Sequence, residues 1–113
     1  MTARLKAGIW VRAYIRRCEV GGASAFVVAK GDETAGAVLI KVNRLGEGCE
    51  VFTASAGLDG ERRWLIGTGP APVAEPEADD YIARQRRYDP DLWVIEVEDT
   101  EGRHFLDEPV DRH

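Results

Sequence analysis

Histidine and cysteine are scarce in this 113-residue chain, and that removes most metal and nucleophile chemistry at the outset. Cys18 and Cys49 stand far apart without a CxxC pairing, so they read as reduced, partly buried thiols and not as a disulfide or a metal pair. His104 is the one histidine away from the terminal His113, which leaves no ligand set for a metal and no cofactor motif. Ser24 and Ser55 lack the flanking glycines of a nucleophile elbow, and Cys18 falls on a helical pattern. No apolar run approaches the roughly 20 residues that cross a bilayer. The opening MTARLKAGIW lacks the apolar stretch and small-residue cleavage site of a signal peptide, so the expectation is a cytoplasmic chain with no membrane partner.

A basic footprint is also missing. The net charge is -5, with residues 1–73 holding 10 Lys or Arg against 7 Asp or Glu, and residues 74–113 holding 5 against 13. A nucleic-acid partner is therefore not expected. At this length the chain is one domain, residues 1–113, able to bury a core without disulfides, its last residues expected to fray.

What is present is strong patterning. EPEADDYIARQRRYDPDLWVIEVED, from Glu75 to Asp99, is a charge-sorted helix followed by a strand. Pro76 suits a first helical turn, the acids sit toward its positive end, Arg84, Arg86 and Arg87 toward its negative end, and Asp89-Pro90 stops it. Ala78, Tyr81, Ile82, Gln85 and Tyr88 line one side of that helix. Val11, Tyr14, Ile15 and Cys18 make an apolar stripe over an earlier helix from about Ala7 to Val20, which Gly21 and Gly22 end. Arg12, Arg16 and Arg17 occupy its other side.

Between the helices lie four strand-like runs, Ala25 to Lys30, Ala37 to Arg44, Glu50 to Ala56 and Arg62 to Thr68. The turns GDETAG, LGEG and GLDG have hairpin chemistry, and the tight spacing predicts an antiparallel meander. The expected fold is α+β in the order α-β-β-β-β-α-β, a four-stranded antiparallel meander with a C-terminal fifth strand from Leu92 to Glu98 and two helices. A three-layer α/β/α arrangement is the alternative. Runs such as FVVA at 26–29, AVLI at 37–40 and LWVIEV at 92–97 are apolar in both parities, so parts of the sheet should be covered on both sides. Phe105 and Leu106 should anchor the final segment.

Hairpin symmetry sets Phe26 opposite Lys41, Lys41 opposite Thr53, and Thr53 opposite Leu65. One face then collects Val27, Ala29, Val38, Ile40, Val42, Phe52, Ala54, Trp64 and Ile66, the expected main core. The other mixes apolar residues with Lys30, Lys41, Asn43, Thr53, Ser55 and Arg63. Lys41, Asn43, Thr53, Ser55 and Arg63 are the candidate site, two cations and three hydrogen-bonding groups suited to a carboxylate or phosphate. The bland alternative is a solvated face with cationic stems over apolar neighbours.

Two other motifs weaken on inspection. Gly67-Thr68-Gly69 follows a strand as a phosphate loop would, but Pro70 and Pro72 remove backbone donors and no Lys-Ser/Thr pair closes it. His104 has Asp99, Asp107 and Glu108 nearby in sequence, a pattern that usually means a solvated histidine and not a general base.

The runs GIWVRAYIRRC at 8–18, GAVLIKVNR at 36–44, RWLIGTGPAPV at 63–73, EADDYIARQRRYDPDLWVIEVED at 77–99 and GRHFLDE at 102–108 resemble the bacterial, mainly alphaproteobacterial, family catalogued as domain of unknown function 1491. The resemblance spans nearly the whole chain. It implies a small single cytoplasmic domain and carries over no activity, cofactor or catalytic residue. Two functions remain expected: a non-enzymatic binding or interaction module, with an unknown protein partner or as a homodimer, or a small anion-handling protein or enzyme using the Lys41 and Arg63 face.

Overall fold

The computed structural model describes residues 5–56 and 62–111, with the backbone alone for Ser55 and Ala56. In chain order the elements are α1 (Ala7–Val20), β1 (Ser24–Ala29), β2 (Val38–Asn43), β3 (Cys49–Ala56), β4 (Arg62–Ile66), α2 (Glu75–Tyr88), β5 (Trp93–Glu98) and β6 (Val110–Asp111). α1 closes on Gly21 and Gly22 and α2 opens with Pro76 in its first turn, as the sequence pattern predicts, while neither Lys6 nor Ala74 caps its helix start through a side chain.

The sheet is mixed, ordered β1-β5-β2-β3-β4-β6. β2, β3 and β4 form the expected meander, but β1 does not pair with β2. β5 lies between them, antiparallel to β1 and parallel to β2, so Phe26 faces Glu96 and not Lys41. Burial explains the insertion. Trp93, Val94, Ile95 and Val97 are each at most 4% exposed, and a strand apolar in both parities needs neighbours on both edges and cover on both faces. The GDETAG segment accordingly is a crossing loop and not a hairpin. Asp32 caps Thr34 and Ala35 through its carboxylate, its N–H donates to the Asp91 carbonyl at 2.9 Å, and its own carbonyl accepts the Trp93 indole N–H at 2.8 Å. Gly31 and Gly36 permit the loop's close approach to that Asp91 carbonyl, where a Cβ would collide.

Lys41 pairs with Val51, two residues from the expected Thr53, because the β2–β3 turn is tighter than expected and centres on Gly46, with Leu45, Gly46 and Gly48 all at positive φ. A shift of two preserves every face. Thr53 does pair with Leu65. On one face α1 buries Trp10, Val11, Tyr14 and Cys18 against Val38, Ile40, Val42, Phe52, Trp64, Ile66 and Ile95; Trp10 stacks on Tyr14 at 5.1 Å and on Trp64 at 5.7 Å. α2 covers the other face through Ala78, Tyr81 and Ile82 over Leu39, Cys49 and Val51. The helices thus lie on opposite faces, the three-layer form of the α+β fold. Ile15 is only half-buried and Tyr88 is 88% exposed at the end of α2, so each helical stripe is shorter than its periodicity.

The β1 register shifts between Val27 and Ala29, and this bulge pairs Ala29 with Val94 on the α2 side, opposite to the simple alternation. After β5 the chain returns across the α1 side: the Tyr14 hydroxyl donates to the His104 carbonyl at 2.6 Å, Arg17 to the Phe105 carbonyl, and Trp64 Nε1 to Glu108. Phe105 and Leu106 pack on the core as expected, and Val110–Asp111 add a short sixth strand parallel to β4. Arg112 and His113 lie outside the described residues. No helix among the described residues is long and apolar enough to cross a membrane.

Candidate functional site

Lys41, Asn43, Thr53 and Arg63 do share the α2 side of the sheet by register, and Ser55 pairs with Arg63 through its backbone, its side chain lying outside what is described. They do not present an open cationic surface. Lys41 and Asn43 are 4% and 7% exposed beneath the start of α2. Glu75 opens that helix and Asp79 follows one turn later, so both carboxylates point down the same face onto the Lys41 ammonium, at 2.7 and 2.8 Å. Glu96, directly opposite Lys41 on β5, completes the set at 3.3 Å. Asn43 Nδ2 donates to Glu75 and Glu96, and its Oδ1 accepts the Leu45 N–H.

Burial alone would push the Lys41 ammonium toward its neutral form; hydrogen bonds to Asp79 and Glu75 and the charge of Glu96 outweigh it and hold its pKa above the usual lysine range. Such a lysine stays protonated and does not act as a nucleophile or base. Its charge already faces three carboxylates, so an incoming anion meets no free cation there.

The remaining candidates are engaged separately. Thr53 hydrogen-bonds the Tyr81 phenol, whose pKa burial raises. Arg63 grips Asp111 with Nε at 3.2 Å and Nη2 at 2.6 Å, and this bond holds the Asp111 carboxyl below its usual range. In the Gly67-Thr68-Gly69 loop the N–H groups of Gly67 and Gly69 donate to Val51 and Ile66, and Thr68 Oγ1 accepts the Val51 N–H. His104 Nδ1 accepts the Leu106 N–H at 2.9 Å while the ring meets Phe52 edge-on. Cys18 and Cys49 are buried thiols whose pKa values rise chiefly through burial. Among the described residues no group of three histidines, cysteines or carboxylates is arranged to hold a metal ion.

The feature that alternation alone did not disclose is the edge strand β1. Phe26, Val27 and Val28 are 43%, 41% and 54% exposed, so the FVVA run, apolar in both parities, is left uncovered within the chain. Its other edge has no strand partner among the described residues. A cleft flanks it on each face. On the α2 side Val28, Ile82, Ala83, Val94 and Arg86 line about 440 Å³, with Lys41, Asp79 and Glu96 at its polar end. On the α1 side Val27, Val11, Ile15, Arg12 and Lys30 line about 290 Å³ with Trp93. Arg86 Nε is shut off from solvent with no hydrogen-bond partner among the described residues. The sequence signal was the run itself, paired with the wrong neighbour.

A sequence profile described as "Protein of unknown function (DUF1491)" matches residues 5–107. Among solved structures, a crystal structure of a DUF1491 family protein from Caulobacter crescentus is 49% identical, with TM-score 0.87 over 96% of this chain and 100% of that one. An NMR structure of a DUF1491 family protein from the same organism is 48% identical, with TM-score 0.85 over 97% and 99% of the two chains. A solution structure of a protein from A. tumefaciens is 29% identical, with TM-score 0.80 over 98% and 100%. No curated protein matches the sequence.

Proposed function

This chain belongs to the DUF1491 family, proteins of unknown function, and we propose that it is a non-enzymatic interaction module whose docking element is β1. One observation carries the reading: three consecutive large apolar residues stand exposed on a six-residue edge strand. Soluble proteins normally blunt such an edge with charges, Pro or a covering element, because its unpaired N–H and C=O groups invite an added strand. Here the strand from Ser24 to Ala29 carries no charge at all. An extended segment laid beside it gains main-chain hydrogen bonds, and its alternating side chains meet Phe26 and Val28 on one face and Val27 on the other. The engaged state of the polar groups on the α2 side supports a binding role over a catalytic one.

The test compares proteins retained from native-host lysate by the immobilised chain and by its Val27→Lys form, with circular dichroism verifying the fold. Proteins held by the native chain and lost by the variant are expected. Identical retained sets would remove β1 as the docking element.

A second reading, a small-anion site, is favoured by Arg86 alone. With Lys41 neutralised, its solvent-shielded Nε in the α2-side cleft is the donor that reading has to use. A thermal-shift screen of carboxylated and phosphorylated metabolites tests it, since a ligand at 100 times its Kd adds about 2.7 kcal/mol of stability. The shift must vanish in Arg86→Ala; without a shift this reading fails.

A further inference from the structure

We propose that the segment which completes β1 is β1 of a second copy of this chain, paired antiparallel about a two-fold axis at Val27. The inference rests on reading β1 as the docking edge and names its occupant. Ala25-Phe26-Val27-Val28-Ala29 reads nearly the same in both directions about Val27. Antiparallel self-pairing there sets Val27 against its own symmetry mate and Phe26 against Val28, whose side chains share the α2 side. A two-fold axis also brings any charge at its centre onto itself, and residues 20–29 contain none. The bulge after Val27 confines the ladder to the stretch around the axis.

Charge at the periphery fits the same symmetry. Gly8, Arg12 and Ile15 of α1 border the cleft beside Val27, spaced so that Glu19 continues their row toward the helix end. α1 runs opposite to β1, because only the Gly21–Ala23 turn joins them. One end of the edge therefore carries Arg12 and Lys30, which share the single carboxylate of Glu33 at 3.0 and 3.8 Å, and the other carries Glu19. The two-fold axis reverses that row, bringing the basic end of one copy to the acidic end of the other.

Sedimentation velocity on the full chain, from micromolar to near-millimolar concentration, decides. The expected result is a dimer that Val27→Lys converts to a folded monomer, by meeting its own charge on the axis. In oxidising buffer Val27→Cys should form an interchain disulfide and Ser24→Cys should not. Glu19→Lys should weaken association several-fold, and adding Arg12→Glu should restore it; both positions are exposed, so this pair decides even if Val27→Lys fails to fold. A wild type that stays monomeric throughout, or a dimer indifferent to both Val27→Lys and Glu19→Lys, overturns the self-pairing. A monomer still leaves the docking role of β1 to be judged by the lysate comparison, so the two failures are separable.

Discussion

Lys41 stands directly opposite Glu96 in the parallel register of β2 and β5, its Nζ 3.3 Å from Oε1, and the pair is roofed by Glu75 and Asp79 of α2. This arrangement clamps the helix to the sheet. A mixed face with a lysine in an apolar strand looked like an anion site; the same lysine is the anchor for α2, which covers that face.

Removing the cation leaves buried and half-buried carboxylates facing one another. Lys41→Met keeps the volume and should cost about 3 kcal/mol, within the range for breaking a buried pair by deleting one partner. Equilibrium urea unfolding measures it, and a loss under about 1 kcal/mol would mean the cluster contributes little. Arg63→Ala, which removes a half-exposed pair with Asp111, should cost no more than about 1 kcal/mol by the same measurement.

The clamp also sets the pH response. Because the folded-state pKa of Lys41 lies above its unfolded value, its stabilisation is fully present below the usual lysine pKa of about 10.4 and is lost as pH rises through the folded value. At the acid end, hydrogen bonds from Arg103 hold the Asp99 carboxyl below its ordinary pKa, so that contribution is present above about pH 3.9 and is lost as pH falls through the folded value. Melting temperature should fall below the acid limit; at the alkaline end the fall should start near the ordinary cysteine pKa of about 8.5, where the unfolded chain ionises Cys18 and Cys49 while burial keeps both thiols protonated in the fold, and should steepen as Lys41 loses its proton. Lys41→Met should flatten the alkaline fall and Asp99→Asn the acid one; unchanged limbs would contradict the assignments.

Trp64 is fully buried, stacked on Trp10, with its indole N–H donating to Glu108 at 3.2 Å. Trp64→Ala should cost about 3 to 5 kcal/mol in urea unfolding. Glu108→Ala should cost about 1 kcal/mol, by leaving the indole donor unpaired. A Trp64→Ala loss below about 1 kcal/mol would contradict its place in the core.

Much of the fold was legible because helix caps and hairpin glycines act locally. The limits of α1 and α2, the β2-β3-β4 meander and the core face around Ile40, Phe52 and Trp64 follow from residues close in sequence. The place of β5 does not, since it is decided by a long-range demand, the need of Trp93, Val94, Ile95 and Val97 for cover on both faces and neighbours on both edges. That insertion displaced β1 to the rim, turned the GDETAG hairpin into a crossing loop, and put Glu96 under Lys41. For the candidate site, alternation put Lys41, Asn43, Thr53 and Arg63 on one side of the sheet but misplaced Lys30, which the β1 bulge turns to the α1 side, and it could not say that α2 lies over them with Glu75 and Asp79 aimed inward.

The most direct measurement is amide hydrogen exchange across β1, followed by NMR at micromolar and at near-millimolar protein. If β1 is a docking edge completed by a second copy, the outward amides between Ser24 and Ala29 exchange fast when dilute and become protected as concentration rises, while the amides bonded to β5 stay slow throughout. Outward amides that exchange equally fast at every concentration would contradict it.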